Sequence, residues 1–169
     1  MPESATLVVP AFLLIPSTSP RTILPVRCAI NPVAGREAEY RCVPPASQKR
    51  KVVIVGGGPA GMQAALTAAE RGHEVTLCEK ADRLGGVLRC EEKVPFKRLL
   101  SKYLDYQARM IARAPIDLRL GTEVTPEFAQ AAGAGVVIAA IGAREAVPPI
   151  PGIDGANVLG AEEAYMHPE

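Results

Sequence analysis

The chain has 169 residues, of which 48% are hydrophobic and 4% aromatic, with no tryptophan, so any core must be built from aliphatic side chains. Its 19 basic and 18 acidic residues leave a net charge of +1. This balance argues against a nucleic-acid-binding protein with a basic surface and against a disordered acidic tail. Four cysteines in a chain of this length do not make a disulfide-stapled scaffold.

Proline and glycine divide the chain near residue 50. Half of the 16 prolines lie before residue 51, whereas every glycine except Gly35 lies after it. We predict an irregular, proline-rich arm over residues 1–49 and an α/β domain over residues 50–169. The apolar run 5–16 is shorter than the roughly 20 residues of a membrane span, and no positive charge precedes it as in a signal peptide. We therefore expect a cytoplasmic protein with no membrane partner.

A β-branched run followed by glycines opens the predicted domain. Residues 52–55, Val-Val-Ile-Val, are typical of a strand buried on both faces of a parallel sheet. Gly-Gly-Gly-Pro-Ala-Gly follows directly at 56–61, then a helix is predicted over 62–71 and a second strand over 73–79. This is a G-x-G-x-x-G pattern in its strand–turn–helix context. It predicts a Rossmann-like FAD/NAD(P)-binding domain with a central parallel sheet.

Each residue of the glycine-rich loop suits a diphosphate site. Gly56 permits a tight turn out of the strand, Gly58 lets the diphosphate approach the backbone, and Gly61 lets the helix pack closely on the strand. Pro59 suits the first helical turn, where its missing N–H costs little. The free N–H groups of that turn, including that of Ala60, are predicted to face the phosphates at the positive end of the helix dipole.

An acidic residue at the end of the second strand predicts the class of nucleotide. The carboxylate of Glu79 can accept both ribose hydroxyls of an adenosine and would repel a 2′-phosphate, so FAD, NAD or ADP is favoured over NADP. Lys80 follows it, and the turn at 82–86 offers a second approach of the backbone to the cofactor, with Arg83 near a phosphate or ribose. The other predicted lining residues lie further along the chain: Gly86, Val87, Val124 and Gly142.

The later elements are read from hydrophobic periodicity. Residues 96–113 carry an apolar stripe that predicts a helix packed on the core. The stripe consists of Phe96, Leu99, Leu100, Tyr103, Leu104, Met110 and Ile111, with Gln107 as its one polar member. Residues 116–120 alternate and predict a strand with one buried face, and Thr125 is the predicted N-cap of a short helix. The continuous apolar run 136–141 predicts a central strand.

Several segments together resemble one protein family. They are GGGPAG (56–61), CEKADRLGG (78–86), APIDLRLGTEVT (114–125), AAIGAREAVPPIPGIDG (139–155) and, as the more specific piece, RCAINPVAGRE (27–37). These segments are similar to the multidomain NADH:flavin oxidoreductases related to old yellow enzyme, a family that includes 2,4-dienoyl-CoA reductase. The resemblance runs from about Arg27 to the C-terminus.

The resemblance implies a set of cofactors. In the family an FMN barrel precedes an iron–sulfur cluster held by four cysteines, and dinucleotide-binding domains for FAD (or structural ADP) and NAD(P)H follow. Cys28 is similar to the last cluster ligand and residues 27–42 to the linker after it. The three preceding ligands are absent from this sequence, and one cysteine cannot hold a cluster. The barrel and a second G-x-G-x-x-G are also absent, so the sequence resembles a portion of the FAD-binding domain.

Three functions stay open on the sequence alone. The first is the FAD-binding domain of a flavin-dependent NAD(P)H oxidoreductase, which relays electrons rather than binding the final substrate and supplies no catalytic acid, base or nucleophile. The second is a non-catalytic ADP-binding module, or a subunit beside a separately encoded FMN barrel. The third is an NAD-dependent dehydrogenase, ranked last because a catalytic domain does not fit in the remaining length. Nucleic acid is not expected as a partner of any of the three.

Overall fold

A computed structural model describes Cys28 and residues 30–166, which fall into two compact units divided between Pro44 and Pro45. The described part of the first unit consists of turns and one short helix, α1 (Glu37–Tyr40). Beside α1, the Arg36 guanidinium pairs with the Glu39 carboxylate at 2.6 Å. The apolar run 5–16 lies outside the described residues. The domain boundary that we predict between residues 49 and 50 stays a prediction.

The second unit alternates strands and helices. Its regular elements in chain order are β1 (Lys51–Val55), α2 (Pro59–Glu70), β2 (Glu74–Cys78), the 3-10 helices Gly86–Lys93 and Pro95–Lys97, α3 (Leu99–Arg113), β3 (Ile116–Arg119), α4 (Pro126–Ala131), β4 (Val136–Ala139) and α5 (Ala161–Met166). This order confirms the predicted α/β, Rossmann-like class. None of the helices in residues 30–166 combines the length and apolar character needed to cross a membrane.

The four strands form one parallel sheet in the order β3-β2-β1-β4. In register, Val55 of β1 lies opposite Cys78 of β2 and Ala139 of β4, so the strands end together. From β1 the chain adds β2 and β3 on one side and then returns to place β4 on the other side. The strand order therefore reverses at the carboxyl ends of β1 and β4, which is where open α/β sheets bind their ligands.

The core lies between the sheet and the helices α2 and α3. Val52 and Ile54 of β1, Val75 and Leu77 of β2, and Met62 of α2 are buried together. Val53, on the opposite face of β1, is also fully buried, which confirms that this strand is covered on both sides. The β-branched composition of β1 suits such a position, because these side chains pack well on a pleated surface. A strand buried on both faces thus leads directly into the glycine-rich loop.

The predicted apolar stripe of the 96–113 segment is only partly correct. Leu104 and Ile111 are buried, and so is Gln107, but Phe96 is 81% exposed and Leu99 is 63% exposed. A continuous helix would place Phe96 on the face of Leu104, two turns away. Pro95 instead opens a short 3-10 helix, and α3 begins only at Leu99. The change of helical period rotates Phe96 out of the buried face.

The prediction of a central strand at 136–141 is wrong. In the described sheet β4 is an end strand that pairs only with β1, and it ends at Ala139. Val136 and Ile138 pack against the core cluster, whereas Val137 on the opposite face is 49% exposed. The run reads as continuous because both faces carry apolar residues, although only one of them is packed.

Candidate functional site

The residues predicted to bind a nucleotide follow the carboxyl ends of the four strands. The glycine-rich loop 56–61 follows β1, Glu79 follows β2, Val124 lies beyond β3, and Gly142 lies beyond β4. Because all four strands are parallel, these segments share one edge of the sheet. Hydrogen bonds join two of them directly, since the Gly57 N–H donates to the Glu79 carboxylate.

Gly56 turns the chain out of β1 with a positive φ of 106°, which strongly favours glycine. Its N–H donates to the Cys78 carbonyl at 2.8 Å and so continues the ladder to β2. A Cβ at this position would overlap the Ala140 carbonyl oxygen, beyond the end of β4. The tight turn predicted for Gly56 is therefore present, and it lies where the strand order reverses.

Gly58 and Gly61 differ in what surrounds them. An ideal Cβ on Gly58 would meet only the Gly86 Cα, at 3.8 Å, so the space over this residue is open. An ideal Cβ on Gly61 would overlap the Gly56 carbonyl oxygen and would lie 3.4 Å from the Ala140 Cβ. The structure thus agrees with close packing of α2 on β1 at Gly61, and it leaves room for a ligand at Gly58.

The start of α2 presents unpaired backbone donors to this open space. Gly58 is the N-cap residue with extended backbone, and Pro59 is the first helical residue. The first helical hydrogen bond runs from the Met62 N–H to the Gly58 carbonyl at 2.9 Å. The N–H groups of Ala60 and Gly61 precede that bond and lie in the first turn, at the positive end of the helix dipole. Such a helix start favours an anion.

Glu79 is held at the end of β2 with its carboxylate turned towards the glycine-rich loop. Its main chain continues the sheet, because its N–H donates to the Arg119 carbonyl and its carbonyl accepts from the Thr122 N–H, both at 2.9 Å. The side chain is buried, and its two oxygens accept hydrogen bonds from the N–H groups of Gly57 and Ala81, at 2.5 Å and 2.8 Å. Each oxygen retains a lone pair for one further donor.

The segment after β2 lies directly on the glycine-rich loop. The Gly85 N–H donates to the Gly57 carbonyl at 2.9 Å, and an ideal Cβ on Gly86 would lie only 3.0 Å from the Gly58 Cα. The structure therefore brings Gly86 to Gly58, and the adjacent Val87 is exposed.

The remaining predicted residues are less closely tied to the loop. Arg83 is half exposed and pairs with Glu92 at 2.9 Å rather than with the glycine-rich loop. Lys80 and Gly142 are exposed, and Val124 is half-buried. The roles assigned to these four side chains and backbones in cofactor binding stay predictions.

Four residues of this edge were not among the predicted site residues: Gly57, Ala81, Leu84 and Gly85. Gly57 occupies an x position of the G-x-G-x-x-G pattern, which by itself demands no particular residue there. The run of three consecutive glycines was the available indication that this position is also constrained. The contacts of Ala81 and Leu84 depend on how the chain returns from β2, which periodicity does not predict.

Cys28, similar in sequence to a cluster ligand, is an exposed free thiol. Hydrogen bonds from backbone N–H groups of Asn31 and Ile30 lower its pKa. Within the described residues, no three His, Cys, Asp or Glu side chains form a group that could hold a metal ion. The described part of the chain therefore does not fit an iron–sulfur cluster.

A family of known proteins matches the part of the chain that contains the glycine-rich loop and Glu79. Residues 51–113 match the family described as FAD dependent oxidoreductase. The chain is 43% identical over 136 residues to an NADH oxidase of Thermoanaerobacter brockii, a match that covers 80% of this chain and 21% of the relative. It is 34% identical over 128 residues to a multifunctional alkene reductase/demethylase OYE of Caballeronia cordobensis, a match that covers 75% of this chain and 19% of the relative.

A solved structure shows the same fold. The complex of 2-naphthoyl-CoA reductase with 2-naphthoyl-CoA superposes with a TM-score of 0.71 and 37% identity, over 76% of this chain and 20% of that one. The chain thus spans about a fifth of the length of the curated relatives it matches. Together these matches confirm the predicted family resemblance. The family that residues 51–113 match is, by its description, dependent on FAD.

Proposed function

We propose, on the premise that this chain carries the FAD-binding domain of an FAD-dependent oxidoreductase, that the carboxyl edge of its sheet binds the ADP half of FAD. The diphosphate lies over Gly58 and accepts hydrogen bonds from the N–H groups at the start of α2. The ribose hydroxyls donate to Glu79. The observation that carries this proposal is the combination of open space over Gly58 with the buried Glu79 carboxylate one strand away.

In this proposal the described residues of the edge bind and orient the cofactor and do not act as acid, base or nucleophile. FAD itself supplies the redox chemistry when bound, because its flavin accepts and passes on hydride and electrons. The backbone N–H groups of the first turn of α2 stabilise the negative diphosphate without a change of protonation. The Glu79 carboxylate excludes a 2′-phosphate by charge repulsion, so an adenosine with free hydroxyls is the ligand that the edge accepts.

The expected affinity follows from a small number of contacts. Two or three charge-assisted hydrogen bonds to the diphosphate contribute about 1.5–3 kcal/mol each, and the ribose hydrogen bonds to Glu79 contribute a similar amount, whereas association costs about 4–15 kcal/mol. We therefore expect a dissociation constant of about 10 μM to 1 mM for this part of the cofactor. Tighter retention of FAD requires contacts to the flavin ring from outside these residues.

In the whole protein, we propose that this domain relays electrons from NAD(P)H towards a flavin elsewhere, as the family resemblance implies. A separately encoded FMN barrel is a candidate partner, and the cytoplasm is the proposed location. A non-catalytic ADP-binding module is the second candidate, because the residues that carry the proposal, at the start of α2 and at the end of β2, are proposed to bind only the ADP half of a cofactor. Equal affinities for ADP and FAD would favour the module, and a several-fold higher affinity for FAD would favour the flavoprotein domain.

Calorimetric titration of the 169-residue chain with FAD and with ADP tests the proposal. We expect both to bind, and we expect Gly58→Ala to weaken both, because a methyl group there enters the space assigned to the diphosphate. Lys102→Ala, on the exposed side of α3, is the matched control and should bind like the parent chain. Absence of binding at millimolar ligand, or equal binding by Gly58→Ala, would refute the assignment.

A further inference from the structure

We propose that Gly57 is a positioning residue that holds the Glu79 carboxylate in the orientation selecting a ribose with free hydroxyls. This role rests on the proposed function of the same edge. It adds a determinant of specificity that the G-x-G-x-x-G pattern leaves unspecified, because Gly57 stands at an x position of that pattern.

The peptide units on either side of Gly57 tie three segments together. Its N–H donates to the Glu79 Oε2 at 2.5 Å, and its carbonyl accepts the Gly85 N–H at 2.9 Å. The Ala81 N–H donates to the other carboxylate oxygen, Oε1, at 2.8 Å. Glu79 is only 8% exposed, so its carboxylate has little freedom to reorient in solvent. The two amides thus fix both oxygens, and the remaining lone pairs keep a set direction.

The position has no room for a side chain. An ideal Cβ on Gly57 would lie 2.5 Å from the Leu84 Cδ2, and 3.0 Å from both the Cβ and the Oε2 of Glu79. The end of the Leu84 side chain can rotate away. The Glu79 backbone cannot retreat, because its N–H and carbonyl are both bonded in the extension of the sheet. A methyl group at Gly57 should therefore push the Glu79 side chain by a few tenths of an ångström out of its bonded position.

Gly58 provides the matched comparison within the same loop. A Cβ there would approach only the Gly86 Cα, at 3.8 Å, and would leave Glu79 untouched. Substitution at Gly58 should obstruct the diphosphate, which every nucleotide diphosphate shares. Substitution at Gly57 should instead disturb recognition of the ribose, which distinguishes one nucleotide from another.

The experiment compares ADP with 2′-deoxy-ADP on the full chain by calorimetry or NMR titration. The parent chain should favour ADP by about tenfold to a hundredfold, the value of one hydrogen bond to a carboxylate. Gly57→Ala should bring that ratio close to one, whereas Gly58→Ala should weaken both ligands and keep the ratio. The double variant Gly57→Ala/Leu84→Ala removes the tightest conflict and protects folding. It should still lack the preference, because the contact with Glu79 remains.

The outcomes separate this role from the proposed function. If the parent chain binds neither nucleotide, the proposed function fails and the role of Gly57 fails with it. If the parent chain prefers ADP and Gly57→Ala keeps that preference, only the role of Gly57 is overturned. Hydrogen exchange gives a readout that needs no ligand. The Gly57 amide should exchange faster in Glu79→Ala than in the parent chain, and an unchanged rate would refute the hydrogen bond on which the inference stands.

Discussion

Substitution of Gly61 tests whether the crevice depends on close packing between α2 and β1. A Cβ at Gly61 would overlap the Gly56 carbonyl oxygen. Gly56 cannot move aside easily, because its N–H is bonded to the Cys78 carbonyl in the ladder between β1 and β2. We therefore expect Gly61→Ala to push the first turn of α2 away from the sheet.

The size of the effect combines two opposing contributions. Overpacking lowers the free energy of unfolding by about 1–3 kcal/mol. Replacing glycine by alanine within a helix raises it by up to about 1 kcal/mol. A net loss of about 1–2 kcal/mol should lower the melting temperature by about 2–8 °C in a chain of this size.

Thermal unfolding followed by circular dichroism measures this loss. Gly135→Ala is the control, because its Cβ would make only an ordinary contact of 3.6 Å with the Lys51 carbonyl oxygen. That variant should be neutral or more stable by up to about 1 kcal/mol. Equal melting temperatures for Gly61→Ala and the parent chain would refute the packing argument.

Three further outcomes follow from the fold and the thiols. Ile54→Ala should lower the free energy of unfolding by about 2–5 kcal/mol through the cavity it leaves in the core. Val137→Ala should change it by less than about 0.5 kcal/mol. Denaturant unfolding of both variants measures the two changes. Thr125→Ala should remove the 3.2 Å N-cap hydrogen bond from the Phe128 N–H to the Thr125 hydroxyl and lower the free energy of unfolding by about 1 kcal/mol. The Phe128 amide should then exchange faster with solvent, and an unchanged exchange rate would disprove the cap. Cys28, whose pKa is lowered by backbone N–H groups, should alkylate at lower pH than Cys78, because burial raises the pKa of Cys78. Mass spectrometry across a pH series measures this order, and equal reaction profiles would contradict it.

The part of the fold around the glycine-rich loop could be predicted because local chemistry there agrees with the tertiary structure. The run 52–55 is buried on both faces as its composition indicates, and Gly56 adopts the positive φ that the turn requires. Thr125 caps α4 as its position before Pro126 indicates. Each of these features depends on a few consecutive residues, so the sequence pattern contains the information.

The features that could not be predicted depend on distant neighbours. The run 136–141 has the composition of a central strand, but β4 lies at the end of the sheet that the described residues form. Phe96 fits the helical period of α3, but Pro95 breaks that period one residue earlier. Gly57 is constrained by Glu79, which lies one helix and one strand further along the chain. Periodicity and motif spacing carry no information about contacts between residues that are far apart in the sequence.

Amide chemical-shift mapping of an ADP titration tests the central claim most directly. The account predicts that the largest shifts fall on Gly58, Ala60 and Gly61 and on the two amides bonded to the Glu79 carboxylate. Glu79→Ala should weaken binding of the nucleotide, while the amides of Gly58, Ala60 and Gly61 should still show the largest shifts. Shifts concentrated elsewhere on the domain, with the start of α2 unaffected, would contradict the assignment of this edge as the nucleotide site.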